Sequence, residues 1–257
     1  MQLFKSGEEC LTYGELKQRL IFYKQAWSDS EQKAVLEFKQ FCKTKGQKIP
    51  TRDAEILKWL YGKGFDNQKT LAALMVKINF INEQLPYKVS TGVFELLNNG
   101  FIYICGRDRF YRPIMVVRQA VLNSLPEPPS EQDLIGCAMI MMEYFQWHMM
   151  TPGHVENGIN IMDNQHQGVT AIPIFKLKTV LSTIQSMYKS RNRVIFSVRS
   201  NPMISLLFNA ISYFLDEPTQ KKVNMTTENS HPLMHELIAP NQLEQCFGGT
   251  FPDRVVG

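Results

Sequence analysis

Paired cysteines, long apolar runs and charge of one sign are all missing from this 257-residue chain. The five cysteines, Cys10, Cys42, Cys105, Cys137 and Cys246, are odd in number and never form a C-x-x-C pair. That excludes a disulfide framework and a zinc ribbon, and reads as reduced, largely buried thiols. The longest uncharged stretch, Ser200 to Leu215, is shorter than the roughly 18–20 apolar residues needed to span a bilayer, and Asn201, Pro202 and Asn209 interrupt it. The N-terminus, with Glu8, Glu9 and Glu15, lacks the apolar core and small-residue cleavage site of a secretory signal, so a cytosolic address is expected. Lys and Arg number 28 against 24 Asp and Glu, a net +4 that is too mild to argue for a nucleic-acid partner. There is no G-x-S-x-G elbow, no phosphate loop, no G-x-G-x-x-G after a strand and no H-E-x-x-H, which weakens any enzyme reading.

What is present suffices for a sizeable core: 44% of residues are hydrophobic and 20% charged. Up to about residue 85 apolar positions recur at three-to-four spacing, through Leu16, Leu20 and Tyr23, then Val35, Phe38 and Phe41, then Ile56, Leu57 and Leu60, then Leu71, Leu74 and Ile78. The pattern predicts an all-helical unit punctuated by Ser28, Gly46, Pro50, Gly62 and Gly64. From residue 100 the period changes. Phe101–Ile104 and Pro113–Val117 flank the turn Gly106-Arg107-Asp108, as in a hairpin. Ser130 and Asp133 form a capping-box pattern ahead of a long apolar helix. Strands at 155–162, 194–198 and 223–226 then alternate with helices at 174–190 and 203–215, the signature of a largely parallel sheet covered by helices.

His231 and His235 stand four apart, but Pro232 places His231 at a helix start, and no third convergent ligand is evident, so no metal is expected. In Met203–Leu215 the polar residues Ser205, Asn209 and Ser212 form one thin stripe on an otherwise apolar helix. Such a helix is buried on most sides, or faces an apolar ligand on one side and a membrane on the other.

Several segments, in order over about residues 50–252, resemble the CRAL-TRIO lipid-binding family. Asp53–Asp66, DAEILKWLYGKGFD, resembles its N-terminal helical motif, and Gly106-Arg107-Asp108 with Arg112-Pro113 its G-R/K-D-x-x-G-R-P hairpin, with Tyr111 in place of the glycine. Val155–Asp163 is similar to its central strand, Asn201-Pro202 with Phe214-Leu215-Asp216 to its gate region, and LEQCFGGT to its terminal motif, with Glu244 in place of Pro. The branch resembled most contains the tocopherol-transfer and cellular retinaldehyde-binding proteins. The glutamate that bonds inositol hydroxyls in the phosphatidylinositol-transfer branch is absent at Tyr188-Lys189-Ser190.

The resemblance implies an α/β fold: a helical subdomain over residues 1–86, then a lipid-binding domain over 87–257 with a mostly parallel sheet floor flanked by helices. It implies binding of one phospholipid or isoprenoid-like ligand in a gated apolar pocket and its transfer at membranes, with no catalysis and no cofactor besides the lipid. On this reading Met115, Val117, Ile159, Ile161, Phe175, Phe196, Val198, Phe208, Ile211, Phe214 and Met225 line the pocket. Lys63, Arg191, Arg193 and Lys222 form a basic headgroup and membrane set that meets phosphoinositides. The protein is then expected to be cytoplasmic and peripherally membrane-associated, with an anionic membrane surface as transient partner. The alternative is a non-transferring scaffold of the same fold, a structural or regulatory subunit of a larger protein assembly.

Overall fold

The computed structural model describes residues 10–13, 15–21, 26–49, 51–151, 154–166 and 174–254; the side chains of 10, 11, 13, 16, 17 and 174–177 lie outside what it describes. The chain opens with two short strands, β1 (Cys10–Tyr13) and β2 (Leu16–Arg19), paired antiparallel. This corrects the expectation of helix through Leu16 and Leu20. Spacing there mimics a helix, but Arg19 bonds Glu31 and Gln18 bonds Lys222, and such tertiary contacts outweigh a weak local preference.

Helices α1 (Asp29–Thr44), α2 (Asp53–Gly62) and α3 (Asn67–Gln84) follow and share their own core. Ser28 starts α1 through a complete capping box: its hydroxyl accepts from Glu31 N–H and its own N–H donates to the Glu31 carboxylate. Val35, Phe38 and Cys42 then meet Ile56, Trp59 and Leu60 of α2 and Leu74 of α3.

Helix α4 (Thr91–Asn98) leads into the antiparallel pair β3 (Ile102–Arg107) and β4 (Pro113–Arg118). Asp108 organises their turn, accepting from the N–H groups of Phe110 and Arg112 and from Arg112 Nε at 2.6 Å. Tyr111 holds φ +63° there, the left-handed region that a glycine enters without strain. After α5 (Ala120–Ser124) comes α6 (Glu131–Tyr144), opened by the Ser130–Asp133 capping box and closed by a π-helical turn at Phe145–Met149. Strand β5 (Gly158–Asp163), helix α7 (Ile174–Met187), strand β6 (Asn192–Val198), helices α8 (Pro202–Ser212) and α9 (Glu217–Gln220), strand β7 (Val223–Met225) and helix α10 (Pro232–Leu237) complete the order. His231 sits at the start of α10 and its Nδ1 accepts from Leu233 N–H.

The five-stranded sheet runs β3-β4-β5-β6-β7, with all pairs after the first parallel. Its two faces serve different ends. One packs Ile114, Val116, Ile159, Ile161, Phe196 and Val198 against Met234, Ile238, Leu243 and Phe247 of α10 and the C-terminal turns. The other meets α4, α6 and α7. Gly158 allows the close approach of β5 to the π-helical turn, since a Cβ there would collide with the Phe145 ring. Glu244 is buried under the sheet, accepting from Tyr103 Oη at 2.7 Å and from Arg254 N–H at 2.8 Å, which accounts for a carboxylate where the resembled motif has proline. No helix among the described residues is long and apolar enough to cross a membrane.

Candidate functional site

Strand register decides which side chains face the helices. Met115 pairs with Asn160, Asn160 with Ile195 and Ile195 with Val223, while Val117 pairs with Met162 and Met162 with Ser197. Side chains alternate along a strand, so all seven stand on one face. Over them lies a cavity of about 300 Å³, roofed by Leu134 and Met142 of α6, Val180 and Ile184 of α7, and Ile204, Leu207, Phe208 and Ile211 of α8.

Of the expected pocket residues, Met115, Val117, Phe208 and Ile211 line this cavity. Ile159, Ile161, Phe196 and Val198 do not. They are fully buried on the opposite face of the sheet, within the core that α10 covers. Strands buried on both faces read as continuous apolar runs, so hydrophobicity alone does not choose a face. Met225 shares the cavity face by register but stands outside the hollow. Phe214 lies past the end of α8, half-exposed, with Lys178 Nζ 4.5 Å from its ring centroid. The Phe175 side chain falls outside the described residues.

The floor is less apolar than expected. Asn160 Nδ2 donates to Asn192 Oδ1 at 2.7 Å, and Asn160 Oδ1 is buried with no hydrogen-bond partner among the described residues. Asn164 Nδ2 donates to Ser197 Oγ at 2.9 Å. Polar residues inside otherwise apolar strands were the available sign of the cavity face. Each is costly to bury without a partner, so it points toward a space that a ligand or water can fill.

One end of the cavity is cationic. Arg191 and Lys222, two of the expected headgroup cations, line it with Asp216 and Thr219, and both are buried, 6% and 4% exposed. Arg191 Nη2 donates to Gln146 Oε1 at 2.8 Å and to Glu55 Oε2 at 3.3 Å; Glu55 also pairs with Lys77 at 3.1 Å. Behind them Lys58 pairs with Glu156 at 3.6 Å. Burial pushes the Glu55 carboxyl up, but Arg191, Lys77 and Lys58 together outweigh it and hold the group at about 2. Burial pulls Lys58 down to about 8, helped by Arg191 and opposed by Glu156 and Glu55. Lys222 is likewise drawn to about 8 by burial, with Asp216 and Glu156 opposing and Arg193 assisting. Lys63, at the end of α2, is half-buried near Lys189 and Asp216; its pKa is lowered by burial and then by Lys189. Arg193 stands near Lys222 without lining the cavity.

A family model described as the CRAL/TRIO domain matches residues 97–249. A solved structure described as the crystal structure of Sfh5 superposes with a TM-score of 0.67 at 15% identity, over 90% of this chain and 91% of that one, a likeness of fold. The matched residues run from the end of α4 to the C-terminal turns and contain the whole five-stranded sheet and the helices that roof its cavity, so the chain belongs to the CRAL/TRIO family of lipid-binding domains.

Proposed function

We propose that the protein takes up one lipid, with its apolar part between the sheet and helices α6, α7 and α8 and its polar head at Arg191, Lys222 and Thr219, and carries it between membranes. The observation that carries this reading is the hollow: apolar along its length, cationic at one end and about 300 Å³ in volume. It supports a carrier over a scaffold whose interior is filled by its own side chains. Each CH2 withdrawn from water contributes about 0.8 kcal/mol, so a short chain suffices for a bound state. At about 30 Å³ per water-sized group, a chain of roughly ten such groups fits as the walls stand. A longer single chain such as oleate, or a two-chain phospholipid, enters only with outward movement of α8.

That helix suits a gate. Ile204, Leu207, Phe208 and Ile211 face the cavity, while Met203 and Leu206 are exposed on its other side and Tyr213 just beyond its end. With apolar residues on both sides, it exchanges cavity contacts for acyl-chain contacts on meeting a membrane and loses little. Lys63 and Lys189 near the cationic end attract an anionic leaflet, phosphoinositides among its lipids, while Arg191 and Lys222 face inward to the bound head. Mass spectrometry of an organic extract of the native protein is expected to release about one lipid per chain. A chain that releases none, and takes up none from vesicles of phospholipid, tocopherol or sterol, overturns the reading.

Affinity for an anionic ligand is also expected to depend on pH. Lys222 is faced by Asp216 at the start of α9, Arg193 of β6, Glu156 ahead of β5 and Gln18 of β2. Its pKa of about 8 means that the empty site loses its proton as pH rises through that value. An anion favours the protonated form, so binding is tightest below that value and about tenfold weaker one pH unit above it, for one titrating group. Fluorescence titration with oleate checks this, oleyl alcohol serving as the pH-independent control.

A further inference from the structure

Strand β6 carries an extra residue where it meets the start of β5. Asn192 stands opposite Gly158 and Val194 opposite Ile159, so Arg193 is inserted between two paired positions. Regular alternation back from Ile195, a cavity residue, would turn Arg193 toward the hollow and Asn192 to the opposite face. The bulge reverses this: Asn192 lines the cavity and Arg193 does not. Bulges re-aim side chains in this way, and they gather beside functional sites.

The side chain so aimed is held at one end. Asn160, 9% exposed, donates from Nδ2 to Asn192 Oδ1 at 2.7 Å, which fixes the Asn192 amide with its oxygen toward β5 and its NH2 away from it. The reverse arrangement of the two amides would leave the Asn160 NH2, in place of its oxygen, buried without a partner among the described residues. Orphaned N–H groups are the rarer of the two in proteins. Asn192 is only partly buried and makes no other side-chain hydrogen bond among the described residues, so its Nδ2 opens on the hollow. Two other cavity amides differ in this respect. Asn164 Nδ2 is engaged by Ser197 Oγ and the Val198 carbonyl, and Gln185 Nε2 by the Phe214 carbonyl.

We propose that Asn192 is a specificity-determining residue whose Nδ2 receives a carbonyl oxygen of the bound lipid, as in an ester or a ketone. This rests on the lipid-carrier reading and names an uncharged group that the carrier selects beside its cationic end. The amide pair offers only donors there, since Asn192 Oδ1 is engaged by Asn160 and the Asn160 oxygen is buried. A carbonyl oxygen only accepts and meets this completely. A hydroxyl oxygen accepts as well but brings a proton for which the pair opens no acceptor, and a hydrogen bond left unmade in an apolar cavity costs affinity.

The test compares 2-nonanone with 2-nonanol, each about as long as the roughly ten groups the cavity takes, by displacement of a fluorescent fatty acid from the full-length chain. Nonane, which has no oxygen, is measured beside them to show that the cavity is open in each protein. Wild type is expected to hold the ketone at least about threefold more tightly than the alcohol. Asn192→Leu removes the donor and brings the two to parity. Asn192→Asp, matched in size, replaces the donor with an acceptor and reverses the order in favour of the alcohol; it decides the matter alone if Asn192→Leu no longer takes up nonane. A ketone-to-alcohol ratio that both variants leave unchanged, or a wild type that shows no preference, overturns the role of Asn192 and leaves the carrier reading standing. A wild type from which none of the three displaces the probe, and which takes up no lipid from vesicles, overturns the carrier reading and this inference with it.

Discussion

Replacing Phe196 with alanine is expected to destabilise the protein by about 3–5 kcal/mol without altering ligand preference in the folded fraction, whereas Met162→Trp is expected to abolish ligand uptake with little loss of stability. The two residues belong to adjacent parallel strands and point to opposite faces. Phe196 is wholly buried among Ile161, Met234 and Phe247, so truncation leaves a void in a close-packed core. Met162 lines the cavity, where a larger side chain has space to enter and occupies what the ligand would fill. Urea unfolding separates the outcomes: a lower midpoint with unchanged slope for Phe196→Ala, a near-native midpoint for Met162→Trp. Uptake of a fluorescent fatty acid gives the complementary reading. If Phe196→Ala loses uptake while Met162→Trp keeps it, the assignment of faces is reversed.

This contrast also marks where sequence reasoning reaches its end. Ser28 as a cap and Ser130 with Asp133 as a capping box announce helix starts by chemistry that is local, and both helices begin where these residues stand. The alternation of β5, α7, β6 and α8 is visible for the same reason, since each element carries its own period and stops. The face of a two-sided strand depends on register with neighbours far along the chain. Ile159 and Ile161 therefore look like better pocket residues than Asn160 and Met162, which line it. The N-terminal hairpin was hidden because a few apolar residues at helical spacing are weak evidence when Gln18 finds its partner 204 positions away. Helix α2 hid its charges too. Glu55 and Lys58 look like an ordinary solvated face until Arg191, Lys77 and Glu156 close around them.

That buried cluster carries the second large effect. Glu156→Gln is expected to destabilise the protein by about 3–5 kcal/mol, although it removes a single charge and keeps the side-chain shape. Lys58 and Glu156 are 3% and 4% exposed and 3.6 Å apart, joining α2 of the helical unit to the segment that enters β5. Removing the carboxylate takes from the buried Lys58 ammonium the anion that favours its charge most, leaving Glu55 to oppose burial and Arg191, which disfavour it. The lysine then answers by losing its proton at a lower pH, so the loss of stability is expected to be largest in acid and to shrink as pH rises toward and past about 8. Lys58→Met in the Glu156→Gln background removes the buried ammonium and is expected to recover most of the loss, because a buried pair replaced by neutral groups is often close to neutral in stability. Equilibrium unfolding of the two single variants and the double variant across that pH range decides the matter: additive losses independent of pH would mean that the two side chains stabilise the junction by packing alone, and the coupling of α2 to the cationic end of the cavity through charge would fall.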